Sequence, residues 1–157
     1  LEHISDLSRP AAQVTASGPA ADRLINAKQL RHRVLFSQQH INRLEAVGAF
    51  PKRIRLGPAR VAWSSNEVTA WMQAKIDARG PCSFVGSMPA LNAQDRFIGK
   101  KELRELVVYS PQHVRLLELE RLFPARVWIG ENRVAWLERD VLSWREMKRT
   151  DRVGFLR

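Results

Sequence analysis

Apolar side chains recur along this chain with two different periods, and the whole pattern occurs twice. Between Lys28 and Val34, Leu30 and Val34 lie one turn apart among polar and basic residues, which predicts a short helix. Lys100 to Val107 repeats it with Leu103 and Val107. Ile41 with Leu44, and Val114 with Leu117, give a second helix an i, i+3 stripe. Ser37 and Ser110 precede these stripes as N-caps, and Pro111 falls at a first helical position, where its missing amide hydrogen costs nothing. The period then shortens. Phe50 to Leu56 and Phe123 to Ile129 alternate, Gly57-Pro58-Ala59-Arg60 and Gly130-Glu131-Asn132-Arg133 are turn-rich, and Val61-Ala62-Trp63 and Val134-Ala135-Trp136 resume an extended pattern. That predicts a β-hairpin in each copy. A third helix follows, from Ser65 to Ala78 with Val68, Trp71 and Met72, and from Glu138 to Arg149 with Val141, Trp144 and Met147. Leu24-Ile25 and Phe97-Ile98 open each copy as a brief strand or a tether.

Writing Leu24–Met72 over Phe97–Arg145, at an offset of 73 residues without gaps, gives 20 identities in 49 positions. Two copies are too few for a solenoid. The expectation is an α+β, mostly helical chain of two tandem winged helix-turn-helix domains, each a helix-turn-helix, a β-hairpin wing and a C-terminal helix. Residues 24–79 form the first domain and 97–157 the second. Residues 1–23, rich in Ala, Ser and Pro, read as a disordered N-terminal segment, and 80–96, with Gly80, Pro81, Gly86 and Pro89, read as a linker.

Charge narrows the partner. The chain of 157 residues carries 26 Lys and Arg against 16 Asp and Glu, a net +10. The excess is +7 in residues 24–79 and +4 in 97–157, so it belongs to the repeats and not to a tail. A folded basic surface of this kind suits a polyanion. The single cysteine, Cys82, excludes an internal disulfide framework and a cysteine-rich zinc finger, and four histidines beside it show no ligand spacing. No carboxylate pair, nucleophile triad or glycine-rich phosphate loop stands out, so no catalytic residue, metal or cofactor is expected. No apolar run approaches the roughly 18–20 residues that span a bilayer.

The ordered pattern Ser-x-x-His-Ile-x-x-Leu-Glu, Phe-Pro-Lys-Arg, Leu-Gly-x-x-Arg-Val-x-Trp and Glu-Val-x-x-Trp resembles the AlpA-like family. These are small MerR-type winged-helix regulators of phages and mobile elements, related to excisionases. The resemblance covers most of both repeats and implies that the second helix is a major-groove reader and the hairpin a wing against the backbone or minor groove. The outer face of that helix in the first copy carries Gln38, Gln39, Asn42 and Arg43. Amides can pair with adenine and an Arg can fork onto guanine or phosphate. The Ser37 end offers free backbone N–H groups to a phosphate. Lys52, Arg53 and Arg55 line the wing, with Arg60 after its turn. Arg53 and Arg126, present in both copies, are the leading phosphate contacts; Arg60 and Arg133 either contact phosphate or brace the hairpin. His40 reads as a packing or capping residue, and Trp63, Trp71, Trp136 and Trp144 as core.

The second copy retains Ser110, Gln112, His113, Arg115, Arg126 and Arg133, but Asn42-Arg43 becomes Arg115-Leu116 and Lys52 and Arg55 become Ala125 and Trp128. It either reads a second, different DNA site or presents Leu116, Leu119 and Trp128 to protein. The implied function is that of a sequence-specific double-stranded DNA-binding transcriptional regulator of a phage or integrative element. The alternatives are an excisionase that bends attachment-site DNA with an integrase, and a protein-interaction or DNA-packaging adaptor. Integrase or RNA polymerase are the further partners this implies, in the bacterial cytoplasm at the nucleoid, for a monomer that is an internal pseudo-dimer or for a higher assembly on DNA. A coil from Ala78 to Arg96 spans roughly 25 Å and, extended, reaches past one DNA turn of about 34 Å. Two half-sites about a turn apart are therefore expected.

Overall fold

A computed structural model describes residues 21–80 and 89–154. Residues 1–20 of the segment expected as disordered over 1–23, and 81–88 of the linker expected over 80–96, lie outside the described residues. The elements run β1 (Leu24–Ile25), α1 (Ala27–Val34), α2 (Gln38–Ala46), β2 (Ile54–Gly57), β3 (Arg60–Ser64) and α3 (Ser65–Asp77). The second unit repeats this order as β4 (Phe97–Ile98), α4 (Lys100–Val107), α5 (Pro111–Leu119), β5 (Val127–Gly130), β6 (Arg133–Leu137) and α6 (Glu138–Gly154). The opening dipeptides are strands: each pairs antiparallel with the second hairpin strand, giving three-stranded sheets of order β1-β3-β2 and β4-β6-β5.

Local chemistry fixes the helix ends. Asn26 and Gln29 close a capping box on α1, each side chain accepting from the other's backbone N–H. The hydroxyls of Ser37 and Ser110 accept from His40 N and His113 N and start α2 and α5. Between the first two helices the backbone turns through a left-handed residue, Leu35 in one unit and Val108 in the other, at φ 61° and 59°. Neither residue favours that region. The turn is held because each donates its N–H back to Arg31 O or Arg104 O, and the apolar faces of the paired helices must meet.

The repeat begins earlier than the hydrophobic pattern shows. Ser65 N donates to Arg23 O and Glu138 N to Arg96 O at the same position in each unit. Asp22 accepts from Ser64 and from Asn66 N, while Asp95 accepts from Asn92 N and pairs with Arg139 at 3.1 Å. Residues 95 and 96 therefore belong to the second unit and not to a linker.

Each unit has its own core: Leu30, Val34, Ile41 and Trp63 in the first, Ile98, Leu103, Val114 and Trp136 in the second. The sheets alternate their side chains. In the second unit one sheet face, with Ile98 and Trp136, turns to its own helices. The opposite face, Phe97, Val127, Ile129, Ala135 and Leu137, is buried in the core of the first unit, where β5 lies against α3 and β4 against α1. Two arginines lock the contact. Arg79, at the end of α3, donates to Ala125 O at 3.0 Å and pairs with Asp140 at 2.7 Å, both side chains buried. Arg33, buried on α1, donates to Asp95 O at 2.9 Å, Asn92 O at 3.1 Å and Thr69 at 3.0 Å. Packing, not the reach of a coil, sets the separation of the two units.

Removing Asp140 leaves Arg79 buried without its counter-charge. Asp140→Ala should cost about 3–5 kcal/mol, read from the urea midpoint, and the apolar double variant Arg79→Met/Asp140→Leu should cost less than the single one.

Candidate nucleic-acid interface

α2 presents an outward face because Ile41 is buried and Leu44 half-buried on the other side. Gln39, Asn42 and Arg43 are exposed on it, and Lys52, Arg55 and Arg60 are exposed on the hairpin. Only one acid, Glu45, lies between Ser37 and Trp63, and it is turned away from this surface. Its side chain accepts from Trp63 Nε1 at 2.7 Å and from Arg53 Nε at 2.8 Å, and the Arg53 guanidinium stands 5.5 Å over the Trp63 ring. The second unit builds the same bracket: Glu118 accepts from Trp136 Nε1 at 2.7 Å and Arg126 Nε at 2.8 Å, with Arg126 5.4 Å over Trp136. In each case one carboxylate ties the second helix of the unit to the second hairpin strand and to the residue that leads into the first.

This gives Arg53 and Arg126 a structural role. Both were expected to lead the phosphate contacts, yet each spends two of its nitrogens on a shielded carboxylate and stacks its plane on a tryptophan. They position the helix against the wing. The identity of Glu45/Glu118, Arg53/Arg126 and Trp63/Trp136 in the aligned repeats was the signal for this triad, and reading the arginines one at a time missed it.

The amides divide as well. Asn42 Oδ1 accepts from Gln38 Nε2 at 3.0 Å and also from Arg53. That leaves Asn42 its NH₂ as a donor, so a two-bond fork onto adenine, which needs the oxygen too, falls to Gln39. Gln39 makes no side-chain hydrogen bond among the described residues. Ser37 is committed as the cap of α2, and Ser110 as that of α5.

His40 packs on Phe36, ring centroids 4.5 Å apart, and His113 on Tyr109 at 4.6 Å. Trp71 Nε1 donates to Ala49 O and Trp144 Nε1 to Leu122 O, so these tryptophans hold the chain where it leaves α2 and α5. Burial first, then the nearby charges of Arg43 and Arg133, holds the His40 imidazole below its ordinary 6.5. Arg133 comes from the second unit: it is exposed and stands 6.0 Å from the Phe36 ring, which brings it beside α2 of the first. Gln112, His113 and Arg115 are exposed on α5, with Arg115 3.9 Å from Glu118. The structure therefore gathers Gln39, Asn42, Arg43, Lys52, Arg55 and Arg60 around one helix and wing, adds Arg133 from the other unit, and leaves Gln112 and Arg115 on a separate helix.

A family model for the prophage CP4-57 regulatory protein (AlpA) matches residues 23–76. The uncharacterized protein ORF88 of enterobacteria phage P4 is 36% identical over 72 residues, which is 43% of this chain and 82% of that protein. The chain belongs to the AlpA family. The AlpA match spans β1 to most of α3, nearly the whole of the first unit, including the bracket and the α2 face. No solved structure gives a significant match. Among the described residues no helix is long and apolar enough to cross a membrane, and no group of three metal-ligating side chains forms.

Two measurements probe this AlpA unit. Glu45→Ala should destabilise by about 1–3 kcal/mol, because it strands the partly buried Trp63 N–H and the guanidinium; a double-mutant cycle with Arg53→Ala should show coupling of at least ~0.5 kcal/mol. His40 takes up its proton more readily unfolded than folded. Stability should therefore fall as pH drops below about 6.5, and His40→Gln should flatten that part of the stability–pH curve.

Proposed function

We propose that the protein is a sequence-specific double-stranded DNA-binding regulator of a prophage or integrative element, in which α2 reads base edges in the major groove and the β2–β3 wing holds the backbone. The observation that carries this reading is the sequestration of Glu45. With the single acid of α2 and the wing turned inward, the outward surface offers amides and cations with no opposing charge. Gln39 supplies the adenine-type fork, Asn42 a donor, and Arg43 a fork for guanine or phosphate. Lys52, Arg55, Arg60 and the neighbouring Arg133 supply phosphate contacts. The capped N-terminus of α2 adds its backbone N–H groups. The protein carries out no chemistry of its own in this reading.

Reading is concentrated in the first unit. The second has Leu116 where Arg43 stands and Ala125 and Trp128 where the wing has Lys52 and Arg55, and its wing face is committed to the first unit. One continuous footprint replaces the two half-sites expected of a flexible tandem. Footprints at a promoter or at an attachment site separate a transcriptional regulator from a recombination directionality factor working with an integrase, since both use the same helix and wing.

Selection of bound sequences from a random duplex pool tests the reading. Gln39→Ala and Arg43→Ala should lose about 1–3 kcal/mol of preference at single base positions. Arg55→Ala should weaken all sequences alike and reduce the salt slope by about one. An unenriched pool, or preferences unmoved by Gln39→Ala and Arg43→Ala, overturns it.

A further inference from the structure

The two units differ at a set of exposed positions near the ends of their second helices. At the end of α2 and on α3 the first unit carries Arg43, Ala46, Ala49 and Ala74; the aligned residues of the second are Leu116, Leu119, Leu122 and Met147. These four are 39–64% exposed. They form one ridge: Leu116 and Leu119 are one turn apart on α5, and the bond from Trp144 Nε1 to Leu122 O sets the turn of α6 carrying Met147 beside the end of α5. Water gains nothing from four large apolar side chains in place of an arginine and three alanines, and neither does a phosphate backbone. Such a patch marks a protein contact.

The first unit shows the complementary surface. Its outer sheet face, Leu24, Ile54 and Leu56, aligns with Phe97, Val127 and Ile129, the face the second unit buries against a helix of the first. In the first unit Leu24, Ile54 and Leu56 are 38–56% exposed and join no core cluster among the described residues, while Ala62 and Ser64 beside them on β3 are buried. The chain thus displays in its own packing what this sheet face does, which is to take an apolar helical surface. The internal contact is not repeated unchanged on α6, because Met72 and Ile76 of α3 become Arg145 and Arg149 there. The apolar helical surface the second unit does offer is the α5–α6 ridge. Ridge and sheet face are both exposed, so neither covers the other within one chain.

We propose that the ridge of one molecule takes the outer sheet face of the first unit of a second copy, so that the protein associates head to tail. The contact is heterologous: each molecule keeps one free ridge and one free sheet face, and growth past the dimer is open. It needs no DNA and goes beyond the reading of α2.

Sedimentation of the full chain without DNA tests it. The wild type should show a mass that rises with concentration above the 18.0 kDa monomer and past twice that value. Leu116→Lys/Leu119→Lys, which spoils the ridge, and Ile54→Lys/Leu56→Lys, which spoils the sheet face, should each remain monomeric at concentrations where the wild type associates. An equimolar mixture of the two should form a heterodimer and stop there, because each supplies the surface the other lacks. Circular dichroism melts check that the variants fold, and the milder Leu116→Ser/Leu119→Ser and Ile54→Ser/Leu56→Ser pairs replace any that do not. A wild type that stays monomeric overturns the proposal. So does a sheet-face variant that still dimerises, which would mean ridge against ridge, or a mixture that forms no heterodimer. None of these outcomes bears on sequence preference in the duplex selection, so the two readings fail separately.

Discussion

Burial of one face of the second sheet against α3 of the first unit governs how everything else is placed. Val127 and Ile129 are wholly or almost wholly removed from water there, and each such aliphatic side chain contributes about 1.5–3 kcal/mol. A free tandem would have to leave them wet. Once that face is buried, the hairpin of the second unit is held beside α2, which is how Arg133 comes to stand next to Phe36 and within the field of His40. The buried cations follow from the same constraint. Arg79 and Arg33 are tolerable only because backbone carbonyls and, for Arg79, a carboxylate receive their N–H groups across the junction, with hydroxyls of α3 adding to the set for Arg33. Apolar burial supplies the attraction, and the arginines fix the register.

The Glu–Arg–Trp bracket solves a different problem. A two-and-a-half-turn helix and a four-residue strand have little surface with which to hold a fixed angle. Glu45 does so by accepting at once from Trp63 of β3 and from Arg53 at the entry to β2, and it turns the only negative charge between Ser37 and Trp63 away from the outer surface. Two needs, rigidity and electrostatic sign, are met by one side chain. The same economy recurs at Glu118, although α5 has lost the arginine at the Arg43 position. The persistence of the bracket in a unit with a different outer face shows that it serves the fold first.

Much of this was legible in the sequence because each element is written twice. The switch from a helical to an alternating period, the serine caps and the tryptophan positions coincide in both copies, and the aligned identities separated scaffold residues from changeable ones. The relation between the units was not legible. An alternating strand such as Ile54-Arg55-Leu56 reads like Val127-Trp128-Ile129 whether its apolar side meets protein or water, and only the first of these stays exposed. Arg33 was equally silent: its aligned partner is Leu106, so the repeat gave no hint that it bonds to carbonyls some sixty residues away. The bracketing role of Arg53 and Arg126 was not legible because a basic strand was judged by charge alone. Charge does not reveal which nitrogens are already engaged.

The two units show how a single scaffold partitions into different surfaces. The interior positions at Leu30/Leu103, Val34/Val107, Trp63/Trp136 and Val68/Val141 are identical, since each packs against the others and a change in one costs the rest. Outer positions carry no such coupling and are free to follow whatever they meet. In the first unit they keep amides and cations on α2 and lose nothing by exposing Ala46, Ala49 and Ala74. In the second they exchange those for leucines and methionine, while the alternating face of its wing is consumed by the first unit. A leucine at Leu116 cannot compensate a phosphate, and an arginine at Arg43 cannot fill an apolar contact without burying an unpaired charge. On the proposed reading, each unit's outer face is unsuited to the role of the other, and the chain divides polyanion reading from protein contact between two copies of one fold.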